Sequence, residues 1–125
     1  MAHPKKMTAH AKYDFAVDAG AVSTIVPSNS AIIPDNAIIT DVYHVTTTAL
    51  TSDGSATLAL TSGGVTLNAA VAFDNGDYAD EAVILNEVND KTTSSTGIQF
   101  VIGTAALTAG VVDVYVEYYI APVSA

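Results

Sequence analysis

The histidines, serines and carboxylates of this chain could support catalysis, but their spacing forms no recognisable catalytic motif. The three histidines are His3, His10 and His44, and none lies beside a serine or a carboxylate at a motif spacing. The sequence has no Gly-x-Ser-x-Gly nucleophile elbow, no cysteine and no arginine. General acids, bases and oxyanion donors are therefore scarce. We expect a protein that is not an enzyme and that carries no cofactor.

An acidic segment offers a candidate metal site. Asp74, Asp77, Asp80 and Glu81 supply carboxylate oxygens around an Asn-Gly pair, and calcium prefers several oxygen ligands from a short flexible loop. Their spacing is not that of an EF-hand. The alternative is a solvated loop with an Asn-Gly turn that leads into a capped helical turn.

Two tyrosines form a candidate binding surface near the C-terminus. Tyr115 and Tyr119 alternate with Asp113 and Glu117 on the polar face of the last predicted strand. Exposed aromatic rings beside carboxylates can stack on sugars or become buried against a protein partner. The alternative is an ordinary half-covered face of a sheet.

Charge is distributed unevenly along the chain, with a basic beginning and an acidic remainder. The sequence has 4 Lys and 13 Asp and Glu, for a formal net charge of −9. Lys5, Lys6 and Lys12 lie in the first dozen residues, and Lys91 is the only later lysine. We therefore predict an extended basic N-terminal arm, residues 1–12, on an acidic body. An acidic body disfavours nucleic acid and anionic membranes as partners. The arm could bind an acidic protein surface or be a solvated tail.

Length and composition fit one domain, predicted over residues 13–125. Half of the 125 residues are apolar and 14% are charged. No apolar run approaches the roughly 20 residues of a membrane helix. The N-terminus lacks the apolar region of a secretory signal, which favours a soluble protein made in the cytoplasm.

Alternating apolar residues predict β-strands throughout the chain. The clearest run is Val111–Ile120, and Gly97–Ala106 precedes it with the same period of two. We predict that these two runs form an antiparallel hairpin, joined by a turn over Leu107–Gly110. The inward side chains of the last strand are Val112, Val114, Val116, Tyr118 and Ile120.

Shorter β-branched runs separated by Gly, Pro and Asp predict the other strands. They are Tyr13–Val17, Ala21–Val26, a long run over Ala37–Leu50, Ser55–Leu60 and Val65–Asn68. Asp77–Asn86 is the only candidate helix. These elements predict an all-β fold, a two-sheet antiparallel β-sandwich of about eight strands, for which a jelly roll is one topology that fits.

Two segments carry a resemblance to a known group of proteins. Ile33–Tyr43 followed by Val45–Thr48, and Ala106–Gly110 followed by Val112–Tyr118, resemble patterns in small virion structural proteins of tailed phages, notably marine ones. The resemblance implies a capsid decoration or cement protein on the outer surface of the major capsid protein shell. Independently of the resemblance, we hypothesise that the N-terminal arm, residues 1–12, is the anchor, because an extended arm can lie across a seam between capsid subunits. We also expect a homo-oligomer, with a trimer suggested by analogy with the threefold axes of shells. A knob or fibre component, or a carbohydrate-binding adhesin that uses Tyr115 and Tyr119, is the alternative.

Overall fold

The computed structural model describes residues 6–120, which form two antiparallel four-stranded sheets and a small third sheet. The one-turn helix α1 covers Phe15–Asp18, and a turn of 3₁₀-helix covers Gly76–Tyr78. The strands in chain order are β1 (Lys6–Asp14), β2 (Ser23–Ile25), β3 (Ile32–Ile33), β4 (Ala37–Ser52), β5 (Thr57–Ser62), β6 (Val65–Ala72), β7 (Val83–Lys91), β8 (Thr96–Gly97), β9 (Gln99–Gly103) and β10 (Leu107–Ile120).

The strand order is that of a jelly roll. Sheet A has the order β1-β10-β4-β7, sheet B has the order β2-β9-β5-β6, and β3 pairs with β8. The pairs β1–β10, β2–β9, β4–β7 and β5–β6 join early strands to late ones, as in one long antiparallel ribbon rolled into two sheets. The prediction of an all-β sandwich is confirmed.

The core lies between sheets A and B and uses the side chains that the period of two predicts. Val112, Val114 and Val116 of β10 are fully buried, and so are Leu58 and Leu60 of β5. The rings of Tyr13 and Phe100 connect the two sheets, with centroids 5.5 Å apart. Burial of these apolar side chains is the main force that holds the sheets together.

The predicted C-terminal hairpin is wrong because β9 and β10 belong to opposite sheets. β9 pairs with β2 and β5, whereas β10 pairs with β1 and β4. The chain turns at residues 104–106, and the predicted turn over Leu107–Gly110 is the beginning of β10. Gly110 nevertheless has φ +133° and lies where the register between β10 and β4 shifts. Its conformational freedom therefore serves a β-bulge rather than a turn.

The predicted helix over Asp77–Asn86 is also wrong. The Asn75 side chain caps a single 3₁₀ turn by accepting from the backbone N–H of Asp77, and β7 then begins at Val83. From Val83 onward, side chains alternate between exposed and half-buried, which is the period of a strand. At the other end of the chain, the strand predicted over Tyr13–Val17 ends at Asp14, where the Asp14 side chain caps α1.

The N-terminal lysines do not form a separate arm over the residues that the structure describes. Residues from Lys6 to Lys12 belong to β1, which pairs with β10 along its whole length. The boundary predicted after Lys12 therefore falls inside a strand. The outer backbone edge of β1 is partly covered, since Asn29 bonds to both the N–H and the C=O of Lys12. Residues 1–5, with Lys5, lie outside the described part.

Candidate interaction surface

The outer face of sheet A carries most of the predicted interaction residues and is built from rows of facing side chains. Strand register places Lys6, His10 and Lys12 of β1 beside Tyr119, Tyr115 and Asp113 of β10. Successive residues of a strand point to opposite faces, so all of these side chains share the face that points away from the core. The rows across the sheet are Lys12-Asp113-Val45-Val83, His10-Tyr115-Tyr43-Leu85, Thr8-Glu117-Asp41-Glu87 and Lys6-Tyr119-Ile38-Lys91.

Each of the two predicted tyrosines of this face contacts a residue of β1. The His10 ring stacks on Tyr115, with centroids 4.6 Å apart and an interplanar angle of 19°. The same imidazole lies 2.9 Å from an oxygen of Asp113, measured from Nε2 to Oδ1. The Lys6 ammonium lies over the ring of Tyr119, 5.8 Å from its centroid. These contacts fix both rings beside β1.

The acidic row of the face is partly neutralised within the chain. The Lys6 Nζ atom lies 3.8 Å from a carboxylate oxygen of Asp41 and 3.8 Å from one of Glu117. Interaction with the Glu117 carboxylate raises the pKa of Tyr43 above its ordinary value. Such exposed pairs contribute little to stability.

An apolar patch occupies the part of the face nearest β7. Val83 and Leu85 are 66% and 52% exposed, and Tyr115 is 40% exposed. Tyr43 and Val45 of β4 lie directly opposite Leu85 and Val83, so the patch is continuous across three strands. Single exposed apolar residues need no explanation, but a contiguous group of them marks an interaction site.

Sequence reasoning found the β1 and β10 parts of this face but missed the part on β4 and β7. Asp41, Tyr43 and Val45 alternate along the long predicted strand, so the signal for their common face was present. Val83 and Leu85 were hidden because the helix prediction covered them. Only the pairing of β4 with β7 brings the two groups together.

The predicted calcium ligands lie in the connection between β6 and β7 and do not converge. Asp77 uses its backbone oxygen to accept from His44 Nε2 at 2.9 Å. Glu81 and Asp80 are held to β4 through backbone contacts with Thr46. No group of three histidine or acidic side chains within residues 6–120 is arranged to hold a metal ion. The geometry gives no support to the calcium interpretation.

His44 anchors this connection from inside the sandwich. Its side chain is fully buried and packs against Tyr78, with ring centroids 5.1 Å apart. Because Nε2 donates to the Asp77 carbonyl, Nδ1 is the deprotonated nitrogen, and it has no hydrogen-bond partner. Burial lowers the pKa of His44 below its ordinary value.

One end of the sandwich is strongly acidic. The connections at the end where β1, β4, β6 and β9 finish contain seven carboxylates and, within the described residues, no lysine. This acidic end consists of Asp14, Asp18, Asp53, Asp74, Asp77, Asp80 and Glu81. Two of the three described lysines, Lys6 and Lys91, lie at the opposite end, whereas Lys12 lies on β1 close to the acidic end. The acidic end is therefore the more negative of the two.

An open cleft of about 430 Å³ separates β6 and β7, where both sheets have a free edge. Asn86 Nδ2 donates to Asn68 Oδ1 across this cleft at 2.6 Å. Asn68 donates in turn to the Tyr78 hydroxyl, which donates to the Leu58 carbonyl. The hydrogen-bonded chain links the two sheets at their open edge.

The described residues contain no helix that could cross a membrane, since α1 has only four residues. No protein-family model matches the chain, and no curated protein matches it in sequence.

Solved structures share the fold, among them chains from two phage capsid structures. A chain in the capsid asymmetric unit of cyanophage Pam1 superposes with a TM-score of 0.66 at 16% identity, over 94% of this chain and 86% of that chain. A chain in the acidic stable capsid structure of Helicobacter pylori bacteriophage KHP30 superposes with a TM-score of 0.55 at 13% identity, over 94% of this chain and 90% of that chain. At these identities the likeness is one of fold, and it extends over almost the whole of each chain.

Proposed function

We propose that this chain is a non-enzymatic structural protein of a bacteriophage virion, and specifically a decoration or cement protein on the outer surface of a capsid. The observation that carries the proposal is the fold shared with chains of the Pam1 and KHP30 capsid structures. The virion resemblance of the Ile33–Tyr43 and Val112–Tyr118 segments points in the same direction. The partner would be the major capsid protein of the shell, and synthesis would take place in the host cytoplasm.

The extent of the match favours a small accessory component. Because 94% of this chain corresponds to 86% and 90% of the two matched chains, those chains are only slightly longer than this one. The fold therefore occurs in both capsid structures as nearly a whole chain, not as one domain of a large polypeptide. A decoration protein needs a compact fold and repeated weak contacts, since many copies bind one shell.

The charge distribution suggests how the protein is oriented on a shell. Burying the seven carboxylates of the acidic end in an interface would require a matching number of cations from the partner, because desolvating an unpaired carboxylate is costly. We therefore place the acidic end toward solvent. The anchor proposed for residues 1–12 includes Lys6–Lys12, which form β1, so an anchoring contact of those residues would be made from a strand of sheet A and not from an extended arm.

Carbohydrate binding has less support from the contacts of the tyrosines. A sugar that stacked on Tyr115 or Tyr119 would have to share the ring with His10 or displace Lys6. Both rings already have a partner within the chain, although an edge-on contact would still be open to them.

The test is binding of the purified chain to capsids of the phage that encodes it, assembled without this protein. We expect saturable co-sedimentation and density on the outer surface in electron cryomicroscopy. Asp53→Lys should leave the occupancy of the capsid sites unchanged, because Asp53 belongs to the acidic end, which faces solvent in the proposed orientation. Absence of binding would refute the decoration proposal. If the natural chain bound to a glycan array and Tyr115→Ala abolished that binding, the adhesin would be favoured instead.

A further inference from the structure

The outer face of sheet A differs in charge from the rest of the described surface. Residues 6–120 contain three lysines, Lys6, Lys12 and Lys91, and register places all three on this face. The face also carries four acids, which are Asp41, Glu87, Asp113 and Glu117. The other nine acids lie elsewhere, where the described residues include no lysine or arginine. Two copies of this chain would therefore repel each other in most orientations, but not when these two faces approach each other.

Three charged groups of the face have no ion pair inside the described part of the chain. Lys6 contacts Asp41 and Glu117, and His10 contacts Asp113. Lys12, Lys91 and Glu87 have no such contact among residues 6–120, and all three are exposed. Glu87 borders the apolar patch, Lys12 lies at one corner of the face, and Lys91 lies at the corner diagonally opposite. Charged groups at the margin of an apolar patch are a common arrangement of a protein interface.

This combination suits a second copy of the same chain. In a two-fold contact, both copies use the same surface: if residue i of one copy contacts residue j of the other, residue j of the first copy contacts residue i of the second. One surface must therefore carry both members of every contacting pair. The outer face of sheet A meets this requirement, since it has an apolar patch and charges of both signs. The acidic end cannot meet it, because carboxylates would face carboxylates.

The edges of sheet A favour contact through the face over extension of the sheet. On the β1 edge, Asn29 occupies the backbone N–H and C=O of Lys12, and the N–H of Ala31 bonds to the His10 carbonyl. On the β7 edge, Asn89 has φ +52° where the register with β4 shifts. Covered edges and bulges both oppose the addition of a further strand.

We propose that the outer face of sheet A is the contact surface between two copies of this chain. The copies pack sheet against sheet, with Tyr43, Leu85 and Tyr115 in the centre of the contact. Lys12 and Lys91 of each copy approach acidic side chains of the other. This inference goes beyond the proposed function and does not depend on it, because it concerns the isolated protein.

The test is sedimentation equilibrium of the purified full chain over a wide concentration range. We expect a reversible dimer for the natural sequence. Leu85→Lys should raise the dimer dissociation constant by at least about tenfold, since it places a charge in the apolar patch. Val22→Lys is the matched control, because Val22 is 55% exposed and Leu85 is 52% exposed, and Val22 lies outside sheet A. Unchanged thermal unfolding of both variants would show that they remain folded.

Other outcomes separate this inference from the proposed function. A natural chain that stays monomeric at all concentrations would overturn the inference. The inference would also be overturned if Leu85→Lys and Val22→Lys raised the dimer dissociation constant equally. If the natural chain is a monomer and Leu85→Lys abolishes its binding to capsids, the face contacts the shell. This outcome contradicts the inference and supports the decoration role. A dimer that does not bind capsids would leave the inference standing and refute the decoration role.

Discussion

Thr92 connects the end of β7 to the start of β4, and its removal is expected to destabilise the sandwich. The side chain is fully buried. Its hydroxyl donates to the Pro34 carbonyl at 2.7 Å and accepts from the backbone N–H of Ala37 at 2.9 Å. Thr92→Val keeps the shape of the side chain and removes both hydrogen bonds.

The expected loss follows from the two backbone groups that Thr92→Val leaves without a partner. An orphaned buried group costs about 1–3 kcal/mol. Ala37 is fully buried, so its N–H bears the full penalty, whereas Pro34 is half-buried and its carbonyl can recover part of the loss from water. We expect Thr92→Val to lower the free energy of unfolding by about 2–4 kcal/mol. That is a large part of the roughly 5–15 kcal/mol that stabilises most domains.

Urea unfolding followed by circular dichroism measures this loss. Thr93→Val is the matched control, because Thr93 is exposed and its hydroxyl makes one long hydrogen bond of 3.3 Å to Gly63. We expect it to change stability by less than about 1 kcal/mol. Thr92→Ser keeps the hydroxyl and should retain most of the stability. If Thr92→Val matched the Thr93→Val control, or if Thr92→Ser were as unstable as Thr92→Val, the hydrogen-bond explanation would be wrong.

Three further predictions concern other positions of the fold. Gly110→Ala should destabilise the protein by more than about 1 kcal/mol, because Gly110 has φ +133° and an added Cβ would clash with Leu50. Gly76→Ala should be nearly neutral in the same urea assay, because the space around Gly76 is open. The free energy of unfolding should fall as the pH drops below about 6.5, because His44 is protonated in the unfolded chain at a higher pH than in the folded protein. A His44→Gln variant whose free energy of unfolding had the same pH dependence as the natural chain would contradict this. Tyr78→Phe should lose about 1–2 kcal/mol in thermal unfolding, because it removes a buried hydroxyl that bonds to the β5 backbone; no change in Tm would show that the bond contributes nothing.

The sequence alone determined the fold class and the orientation of many side chains. An alternation of apolar and polar residues over Val111–Ile120 fixes which face of that strand is buried, because the side-chain period of a strand is two. Leu58 and Leu60 of β5, and Phe100 and Ile102 of β9, follow the same period of two, and all four are buried in the core. These are local properties, and each follows from a few neighbouring residues.

The tertiary structure decided which strands are neighbours. Gly97–Ala106 and Val111–Ile120 read as a hairpin because they are adjacent in sequence, but the jelly roll sends them to opposite sheets. Lys6–Lys12 reads as a polar arm because its buried residues are only Ala9 and Ala11, and it becomes a strand through pairing with β10. Neither outcome depends on local propensity, since both arise from burial and backbone pairing with distant residues.

The interaction surface shows the same division. Alternation along β10 was enough to place Tyr115 and Tyr119 on an outer face, and composition was enough to show that lysines are scarce. The apolar patch joins residues of β4, β7 and β10 that are up to 72 positions apart in sequence. No local pattern brings Tyr43, Leu85 and Tyr115 together. Sheet register alone places them side by side, because facing residues of paired strands have their Cβ atoms only about 5 Å apart.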